Sequence, residues 1–434
     1  MKGGKSEGAL NGAAEWQVGQ TGRGKPEMCI LQEVQSMKYI VVLGDGMADE
    51  PLECLGGRTP LEYAATPALD QLAAVSEIGL LHTIPEGMKP GSDTANLAVL
   101  GYDPKQYYTG RSPLEALSIG VPMEAEDVAI RCNLVTLSEE APYEEKRILD
   151  HSSDEISTQE AQVLVEALKK ELETEEYQLY PGTSYRHCLI WKRGRVAELA
   201  APHDHLTETI GPWLPKETAL LEMQKRSYEI LSNHPINRER KQKGLNPANS
   251  CWFWGAGTRP SLPAFEATYH KRGVMISAVD LLKGIAVGAG MKVHPVVGAN
   301  GGLHTNYEGK AQAAVEELLH GGMDFAYIHV EAPDEMGHQG SVERKIQAIE
   351  YLDQRVIRLV KEQMDASGQE YRLLVLPDHP TPIRVRTHTG DPVPYLLYDS
   401  TAPLKRHWKY SEREARESGI DRKKGYEMMS WLLR

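Results

Sequence analysis

Short apolar runs alternate with helical segments in the first and last parts of the chain, and this alternation constrains the fold most. Near the start, MKYIVVLGDGM begins at Met37, and Thr66-Pro67 then opens the helical segment ALDQLAA. The alternation returns later, in VMISAV (274–279), DLLKGIA, GKAQAAVEELLH, FAYIHVE, an amphipathic segment at 342–364, and RLLVLP. Buried strands separated by helices predict an α/β fold with a largely parallel sheet covered on both faces.

The middle of the chain has a different pattern. VAIRCNLVTL (128–137) predicts a strand, and Ser157 with Glu160 gives a capping-box signal before a helix. YQLY and HCLIWK are typical of a hairpin, and KETALLEMQKRSYEIL is typical of a helix. The charged stretch NRERKQKGLNPAN predicts an exposed surface segment. We therefore expect a smaller α+β domain inserted into the first.

The changes of pattern divide the chain into three predicted parts. Residues 1–36 are rich in Gly, Lys, Gln and Glu, without a secretory signal or a structural period, so we expect a flexible extension. We place the main domain at 37–120 and 265–434, and the inserted domain at 121–264.

Charge and cysteine content narrow the class of partner. The chain has 48 Lys and Arg against 61 Asp and Glu, a formal net charge of -13 at pH 7. This balance argues against a nucleic-acid surface, because phosphate backbones are bound by clustered cations. No apolar run approaches the roughly 18 residues of a membrane span, and the five cysteines form no CxxC pair. We expect a cytoplasmic protein that binds a small molecule and neither nucleic acid nor membrane; the oligomeric state stays open.

Four short segments place Asp or His directly after an apolar run. They contain Asp45 in VVLGDGM, Asp334 and His338 in HVEAPDEMGH, Asp378 and His379 in LLVLPDHP, and His388 in THTGDPVP. Taken singly, each fits an ordinary turn residue or helix cap. Because ligands gather at the carboxyl ends of parallel strands, together they predict a site for two divalent cations such as Mn²⁺, Zn²⁺ or Co²⁺. Two cations about 3.5 to 4 Å apart suit displacement at phosphorus.

A serine in GSDTANLAVLGYDP is a candidate nucleophile. Ser92 follows a glycine and precedes a predicted helix, whose N-terminal N–H groups favour a phosphate. The alternative is that Ser92 or Asp93 simply caps this helix. A serine hydroxyl becomes a competent nucleophile when a metal ion activates it. The catalytic interpretation of Ser92 therefore depends on the metal site.

Taken together, these motifs resemble one enzyme family, the archaeal-type, cofactor-independent phosphoglycerate mutases of the alkaline phosphatase superfamily. The resemblance runs from Met37 to the end of the chain and rests on LGDGM, GGRTPLEYAATPALDQLA, GSDTANLAVLGYDP, TGRSPLEA, RCNLVTL, EAPDEMGH, PDH and HTGDPVP. It implies an alkaline-phosphatase-like fold and the isomerisation of 3-phosphoglycerate to 2-phosphoglycerate in glycolysis and gluconeogenesis. It also implies two divalent metal ions, Mn²⁺ first and Co²⁺, Zn²⁺ or Mg²⁺ as alternatives, and no 2,3-bisphosphoglycerate.

The resemblance assigns roles to residues. One metal ion would be held by Asp334, His338 and His388, and the other by Asp45, Ser92, Asp378 and His379. Ser92 would be transiently phosphorylated. Cations of the inserted domain and its junctions would bind the phosphate and carboxylate of the substrate, and the candidates are Arg111, Arg131, Arg186, Arg259 and Lys283. Each of these five also fits a solvated surface residue.

Other functions stay open on the sequence alone. A phosphotransferase related to proposed bacterial homoserine kinases would share the metal-site motifs, as would a metal-dependent phosphatase or an inactive homologue that only binds. His203, Asp204 and His205 resemble metal ligands but fall in the inserted domain. The chain has no GxxxxGK[ST], GxGxxG or GxSxG motif, which argues against P-loop, dinucleotide-binding and α/β-hydrolase sites.

Overall fold

A computed structural model of the chain describes residues 36–434. The predicted extension, residues 1–36, lies outside the described residues except for Ser36. The strands of the described part are β1 (Lys38–Gly44), β2 (Glu77–Leu81), β3 (Val128–Leu137), β4 (Ile148–Asp150), β5 (Tyr177–Tyr180), β6 (Arg186–Trp191), β7 (Ser250–Thr258), β8 (Gly273–Ile276), β9 (Lys292–Val293), β10 (Phe325–Val330), β11 (Tyr371–Leu376), β12 (Val393–Asp399) and β13 (Asp421–Arg422).

Helices connect these strands. They are α1 (Pro60–Tyr63), α2 (Pro67–Ala73), α3 (Ser92–Val99), α4 (Pro104–Tyr107), α5 (Arg111–Ser118), α6 (Thr158–Leu172), α7 (Thr218–Ser232), α8 (Pro235–Gln242), α9 (Phe265–Tyr269), α10 (Asp280–Gly288), α11 (Tyr307–Leu319), α12 (Ala332–His338), α13 (Val342–Leu352), α14 (Arg358–Ser367), α15 (Glu412–Glu417) and α16 (Met428–Leu432). One π-helical turn, Asp353–Ile357, joins α13 to α14. None of the helices within residues 36–434 combines the length and apolarity needed to cross a membrane.

The larger sheet has eight strands in the order β13-β2-β12-β11-β1-β10-β8-β9. All neighbours pair in parallel except at β12, which is antiparallel to both β11 and β2. Side chains of β1 alternate between two cores: Ile40 and Val42 pack on one face of the sheet, and Val41 and Leu43 on the other. Because strand side chains alternate between faces, this confirms the predicted sheet covered on both sides.

The smaller sheet is antiparallel and is formed entirely by the middle of the chain. Its order is β4-β3-β6-β5, and a fifth strand, β7, also pairs with β3. Helices α6 and α7 contribute Leu164, Leu168 and Leu220 to a core with this sheet. The predicted strand at 128–137 coincides with β3, and β5 pairs with β6 as the predicted hairpin. The fold class, a largely parallel α/β sheet with an inserted α+β part, is confirmed.

Two local predictions are confirmed in position, and the structure adds a partner to each. Thr66 is the N-cap residue of α2 and Pro67 is its first residue, but Asp353 Oδ1 and Oδ2, not the Thr66 side chain, accept hydrogen bonds from the N–H groups of Leu69 (2.7 Å) and Ala68 (3.2 Å). The stretch NRERKQ lies mostly at the surface and forms most of α8. Arg240 on this helix is buried and donates to Glu160 Oε2 and to the Ser153 carbonyl. In both cases a tertiary partner far along the chain decides the local structure.

Candidate active site

The predicted ligand residues meet at one edge of the larger sheet. Strands β10, β1 and β11 are adjacent and parallel, so their carboxyl ends lie side by side. The ligand residues follow these ends: Asp45 after β1, Asp378 and His379 after β11, Asp334 and His338 on α12 after β10, and His388 before β12. Ser92 is the first residue of α3. The structure brings these seven positions into two neighbouring groups.

The first group, called here the serine-side cluster, consists of Asp45, Asp378 and His379. Their potential ligand atoms lie within 4.8 Å of one another, and all three residues are buried. His379 Nε2 lies 3.6 Å from Asp45 Oδ1, 3.4 Å from Asp378 Oδ2 and 3.1 Å from Ser92 Oγ. The serine hydroxyl therefore faces this cluster.

The second group, called here the histidine-side cluster, consists of Asp334, His338 and His388. His338 Nε2 lies 3.2 Å from Asp334 Oδ2 and 3.0 Å from His388 Nε2. Nδ1 of His338 lies 2.9 Å from the Arg386 carbonyl, to which it donates. A histidine that donates one ring N–H to a carbonyl presents the other nitrogen to a metal ion. His338 thus has the orientation of a metal ligand.

The two clusters form one continuous site. The rings of His379 and His388 have centroids 4.0 Å apart. The hydroxyl of Thr381 donates to Asp334 Oδ1 and lies 3.3 Å from His379 Nδ1. Gly46 allows this close approach: its φ is +59°, and a Cβ there would lie 2.5 Å from Asp334 Oδ1. A side chain at Gly46 would collide with the histidine-side cluster.

The charges of this site fit divalent cations. Asp45 Oδ1 is buried and has no hydrogen-bond partner within residues 36–434. Burial, followed by the neighbouring Asp378 and Asp334, raises the pKa of Asp45 well above its usual range. At Asp334, hydrogen bonds from His338 and His388 outweigh burial and hold its pKa well below that range. Buried carboxylates are costly without a compensating charge, and this mixture of carboxylate and imidazole is the donor set of Mn²⁺, Co²⁺ or Zn²⁺.

Asp378 is held rigidly. Its Oδ1 accepts hydrogen bonds from the N–H groups of Gly46 (3.1 Å) and His379 (2.9 Å), and its Oδ2 accepts one from Asn96 Nδ2 (2.9 Å). Asn96 Oδ1 in turn accepts from the hydroxyl of Tyr327. These bonds join the loop after β11 to α3, the helix that begins with Ser92.

Ser92 does not use its hydroxyl as a helix cap. Gly91 occupies the N-cap position of α3, and no side chain accepts a capping hydrogen bond there. The side chain of Asp93 accepts two hydrogen bonds: its Oδ1 accepts from the Thr94 N–H in the first turn of α3 at 2.8 Å, and its Oδ2 accepts from the Tyr108 hydroxyl. The hydroxyl of Ser92 therefore does not cap α3. Its Oγ is directed at His379.

A cavity of about 750 Å³ lies beside α12, between the larger sheet and the inserted part of the chain. Arg111, Arg131 and Arg186, three of the five predicted substrate cations, line it. Glu115 connects two of them: its Oε1 accepts from Arg111 Nε at 2.8 Å, and its Oε2 lies 3.2 Å from Arg131 Nε. The guanidinium of Arg131 also stacks on Trp254, 4.5 Å from the ring centroid.

The other two predicted cations point elsewhere. Arg259 Nη1 donates to the Met123 carbonyl at 2.9 Å, and Lys283 pairs with Asp280 at 3.2 Å. Neither lines the cavity. His203 packs against Trp254 and His205 stacks on Trp213, and the two metal-type groups found within residues 36–434 include neither histidine.

Sequence reasoning missed several residues around the site. Arg344 on α13 lines the cavity, and nothing in its amphipathic segment distinguishes it from a surface arginine. Glu331 and Glu335 also line the cavity, and their place in the same short motif as the predicted ligands Asp334 and His338 was a usable signal. Burial raises the pKa of Glu331 to about 7. His329 is fully buried against Asp45, and a histidine inside the apolar run FAYIHVE could have marked it.

A serine at a helix start, beside two Asp/His clusters at the carboxyl edge of a parallel sheet, is an arrangement suited to a class of enzymes, those that transfer phosphoryl groups. Comparison with solved structures agrees with this class. The cofactor-independent phosphoglycerate mutase from Thermoplasma acidophilum superimposes with a TM-score of 0.63 at 25% identity, over 92% of this chain and 99% of that one. A protein from Pyrococcus horikoshii superimposes with a TM-score of 0.77 at 30% identity, over 92% and 97%.

Sequence comparison identifies the family. The model of 2,3-bisphosphoglycerate-independent phosphoglycerate mutase matches residues 73–237. The protein of that name from Methanosarcina acetivorans is 47% identical over 391 residues, which is 88% of this chain and 96% of the relative. A probable 2,3-bisphosphoglycerate-independent phosphoglycerate mutase from Geobacter sulfurreducens is 46% identical over 403 residues, 92% of this chain and 100% of the relative. The chain belongs to the 2,3-bisphosphoglycerate-independent phosphoglycerate mutase family.

Proposed function

We propose that this protein interconverts 3-phosphoglycerate and 2-phosphoglycerate without 2,3-bisphosphoglycerate, and that Ser92 carries the phosphoryl group between the two hydroxyls. One observation carries the proposal: Ser92 Oγ, at the start of α3, lies 3.1 Å from His379 Nε2 in the serine-side cluster. The family membership of the chain supports the choice of substrate. The cytoplasm, expected from the sequence, is the proposed location.

The two clusters are the proposed metal sites. Asp334, His338 and His388 would hold one ion, and Asp45, Ser92, Asp378 and His379 the other. Mn²⁺ is the proposed metal, and Co²⁺, Zn²⁺ or Mg²⁺ are alternatives with compatible ligand chemistry. When bound, the two cations would supply the positive charge that ionises the serine hydroxyl and neutralises phosphoryl oxygens.

The proposed transfer makes and breaks one bond to phosphorus in each half-reaction. Ser92 loses its hydroxyl proton and its Oγ attacks the substrate phosphorus, so that an Oγ–P bond forms, the substrate O–P bond breaks, and the departing glycerate oxygen takes up one proton. The start of α3 would favour the negative charge of the transferred phosphoryl group, since helix N-termini favour anions. After glycerate reorients, its other hydroxyl loses a proton and attacks the phosphoserine, which restores Ser92.

Retention of glycerate is what separates a mutase from a phosphatase, because water at the phosphoserine would release inorganic phosphate. Arg111, Arg131 and Arg186 are the proposed contacts to its carboxylate and to the incoming phosphate, since a guanidinium binds either group through two parallel hydrogen bonds. The proposal leaves out Arg259 and Lys283, which do not line the cavity: Arg259 donates to the Met123 carbonyl, and Lys283 is paired with Asp280 at the cavity wall. We propose 121–264 as the inserted substrate domain and 37–120 with 265–434 as the main domain.

One observation favours a second candidate, phosphoryl transfer from ATP to an amino alcohol such as homoserine. Glu155, Glu331 and Glu335 line the cavity, and none accepts a side-chain hydrogen bond from a residue within 36–434. Free carboxylates attract an ammonium group and repel a substrate that carries both a phosphate and a carboxylate. The two candidates therefore predict different substrates for the same metal site.

The test compares three reactions of the purified protein with added Mn²⁺. Formation of 2-phosphoglycerate from 3-phosphoglycerate, without 2,3-bisphosphoglycerate and without matching phosphate release, supports the mutase. Phosphorylation of homoserine by ATP without mutase turnover would replace it with the second candidate, and net release of phosphate would make the protein a phosphatase.

A further inference from the structure

His329 lies behind the serine-side cluster and connects to it through one hydrogen bond. It is fully buried on β10, opposite Leu43 of β1. Its Nε2 lies 2.9 Å from Asp45 Oδ2, and its Nδ1 lies 3.2 Å from Ser277 Oγ. Both ring nitrogens thus have partners, although the proposed reaction assigns this residue no role.

When Asp45 is ionised, as a metal-binding carboxylate must be, the hydrogen-bond network is satisfied with the proton of His329 on Nε2. Ser277 Oγ accepts a hydrogen bond from the Val279 N–H at 3.0 Å, and its own O–H is free to donate to His329 Nδ1. The proton of a neutral ring then resides on Nε2, which donates to Asp45 Oδ2. The ring acts as a fixed donor with a defined direction.

The hydrogen bond from His329 gives the two carboxylate oxygens of Asp45 different surroundings. Oδ2 is occupied by His329, whereas Oδ1 is buried, has no hydrogen-bond partner within residues 36–434, and lies 3.6 Å from His379 Nε2. The terminal torsion of an aspartate is broad, so the carboxylate needs an external contact to fix its plane. His329 supplies that contact, and Oδ1 is left facing the serine-side cluster.

The position of His329 is itself anchored. Lys310, also fully buried, donates from Nζ to the His329 carbonyl at 2.8 Å. The backbone of His329 pairs with β1 on one side, and Ser277 follows β8 on the other. Three adjacent strands therefore determine the direction of the Nε2–H bond.

We propose that His329 is a positioning residue that holds Asp45 Oδ2, so that Asp45 Oδ1 is presented to the cation of the serine-side cluster. The inference rests on the proposed metal site, but it predicts a property that can be measured without turnover. Partners of this kind that orient a metal ligand typically change metal affinity by about 10- to 100-fold when replaced.

The test is calorimetric titration of metal-free protein with Mn²⁺. Wild type should bind two ions. His329→Leu, which removes both ring nitrogens, should bind one of them about 10- to 100-fold more weakly and leave the other unchanged. His329→Gln retains an N–H donor and should recover most of the lost affinity. Ser277→Ala removes the hydrogen bond to Nδ1 and should weaken the same ion by a smaller factor.

His187→Leu is the matched control. His187 is a buried histidine on β6 that lines the cavity and accepts a hydrogen bond from the Gly182 N–H; its replacement should lower thermal stability without changing Mn²⁺ affinity. Wild-type affinity in both His329→Leu and Ser277→Ala would overturn the inference, as would equal weakening in His329→Leu and His187→Leu. Fewer than two ions bound by wild type would instead remove the proposed metal site, so the two failures are distinguishable.

Discussion

The two Asp/His clusters and the adjacent cavity differ in how the fold holds their side chains. Asp378 and His379 have no exposed surface, and hydrogen bonds from the sheet loops and α3 fix them. In the cavity, Arg111 and Arg186 are exposed, and Arg131 is held by one carboxylate and one ring face. We therefore expect the loss of one cluster residue to abolish the function of the whole site. In the cavity, the loss of one arginine should weaken substrate binding only in part.

The largest effect is expected from Ser92→Ala. Because no other hydroxyl contacts His379 Nε2 within residues 36–434, turnover should fall by at least about 10⁴-fold, as for loss of a catalytic nucleophile. Stability should be nearly unchanged, since this hydroxyl does not cap α3. Ser157→Ala is the control: it removes the cap of α6 and should cost about 0.5 to 2 kcal/mol of stability while activity persists. Substantial turnover by Ser92→Ala would contradict the view that the cluster residues and Ser92 act together.

Removal of divalent metal should affect the clusters as a unit. Chelator-treated protein should lose at least about 10³-fold in turnover and recover it with Mn²⁺. The metal-free protein should also unfold more easily, because each ion at about 100 times its Kd adds about 2.7 kcal/mol to the free energy of unfolding. Measurement of turnover and thermal unfolding before and after chelation checks both. Undiminished turnover in metal-free protein would contradict the metal assignment.

Cavity substitutions should give graded effects on KM. Arg131→Met removes a buried cation that faces the cavity, and truncation of one partner in a charge pair costs roughly 2 kcal/mol or more. We expect KM for 3-phosphoglycerate to rise about 30-fold, with a smaller change in kcat. Arg259→Met is the matched control, because its side chain is engaged by the Met123 carbonyl. Equal KM values for the two variants would show that the cavity is not where the substrate binds.

The smallest change in stability is expected from a substitution in the turn that contains Glu155, which lines the cavity. Ser153, Asp154 and Glu155 all have positive φ. Burial opposes ionisation of Asp150, but hydrogen bonds from the N–H groups of Asp154 and Ser152 lower its pKa from 3.8 to about 2. Such a shift corresponds to about 2.4 kcal/mol, which solvent screening of this partly exposed group reduces to about 1 kcal/mol.

Asp150→Ala tests that turn. A lowered carboxyl pKa contributes stability above pH 4, and this contribution is lost as the pH falls from about 4 to 2. Asp150→Ala should therefore unfold about 1 kcal/mol more easily at pH 7 and approach wild type near pH 2. Denaturant titrations at both values measure the difference. A deficit that stays constant with pH would mean that the Asp150 charge does not hold the turn.

The difference between the clusters and the cavity also explains which site residues the sequence could predict. The proposed metal ligands follow strand ends, and parallel neighbours must bring those ends together, so Asp45, Asp334 and Asp378 could be grouped from the sequence. The cavity depends on how the inserted part lies against the main sheet. No periodicity in the sequence indicates that Arg131 reaches the cavity and Arg259 does not.

Two of the strands that escaped prediction, β12 and β7, did so for local reasons. β12 contains Pro394, which usually argues against a strand inside a sheet. It is tolerated because pairing of β12 with β11 begins only at Leu396, so Pro394 lies beyond that ladder. β7 contains Gly255 at a φ of +64°, beside a register shift in its pairing with β3. A bulge of this kind hides the two-residue period on which strand prediction relies.

Acid quenching of the working enzyme tests the central claim most directly. Wild-type protein mixed with ³²P-labelled 3-phosphoglycerate and Mn²⁺, quenched within one turnover and digested, should yield a labelled peptide with phosphate on Ser92. Ser92→Ala should yield none, and Ser157→Ala should be labelled like wild type. Mutase turnover without any protein-bound phosphate, or with the phosphate on another residue, would contradict transfer through Ser92.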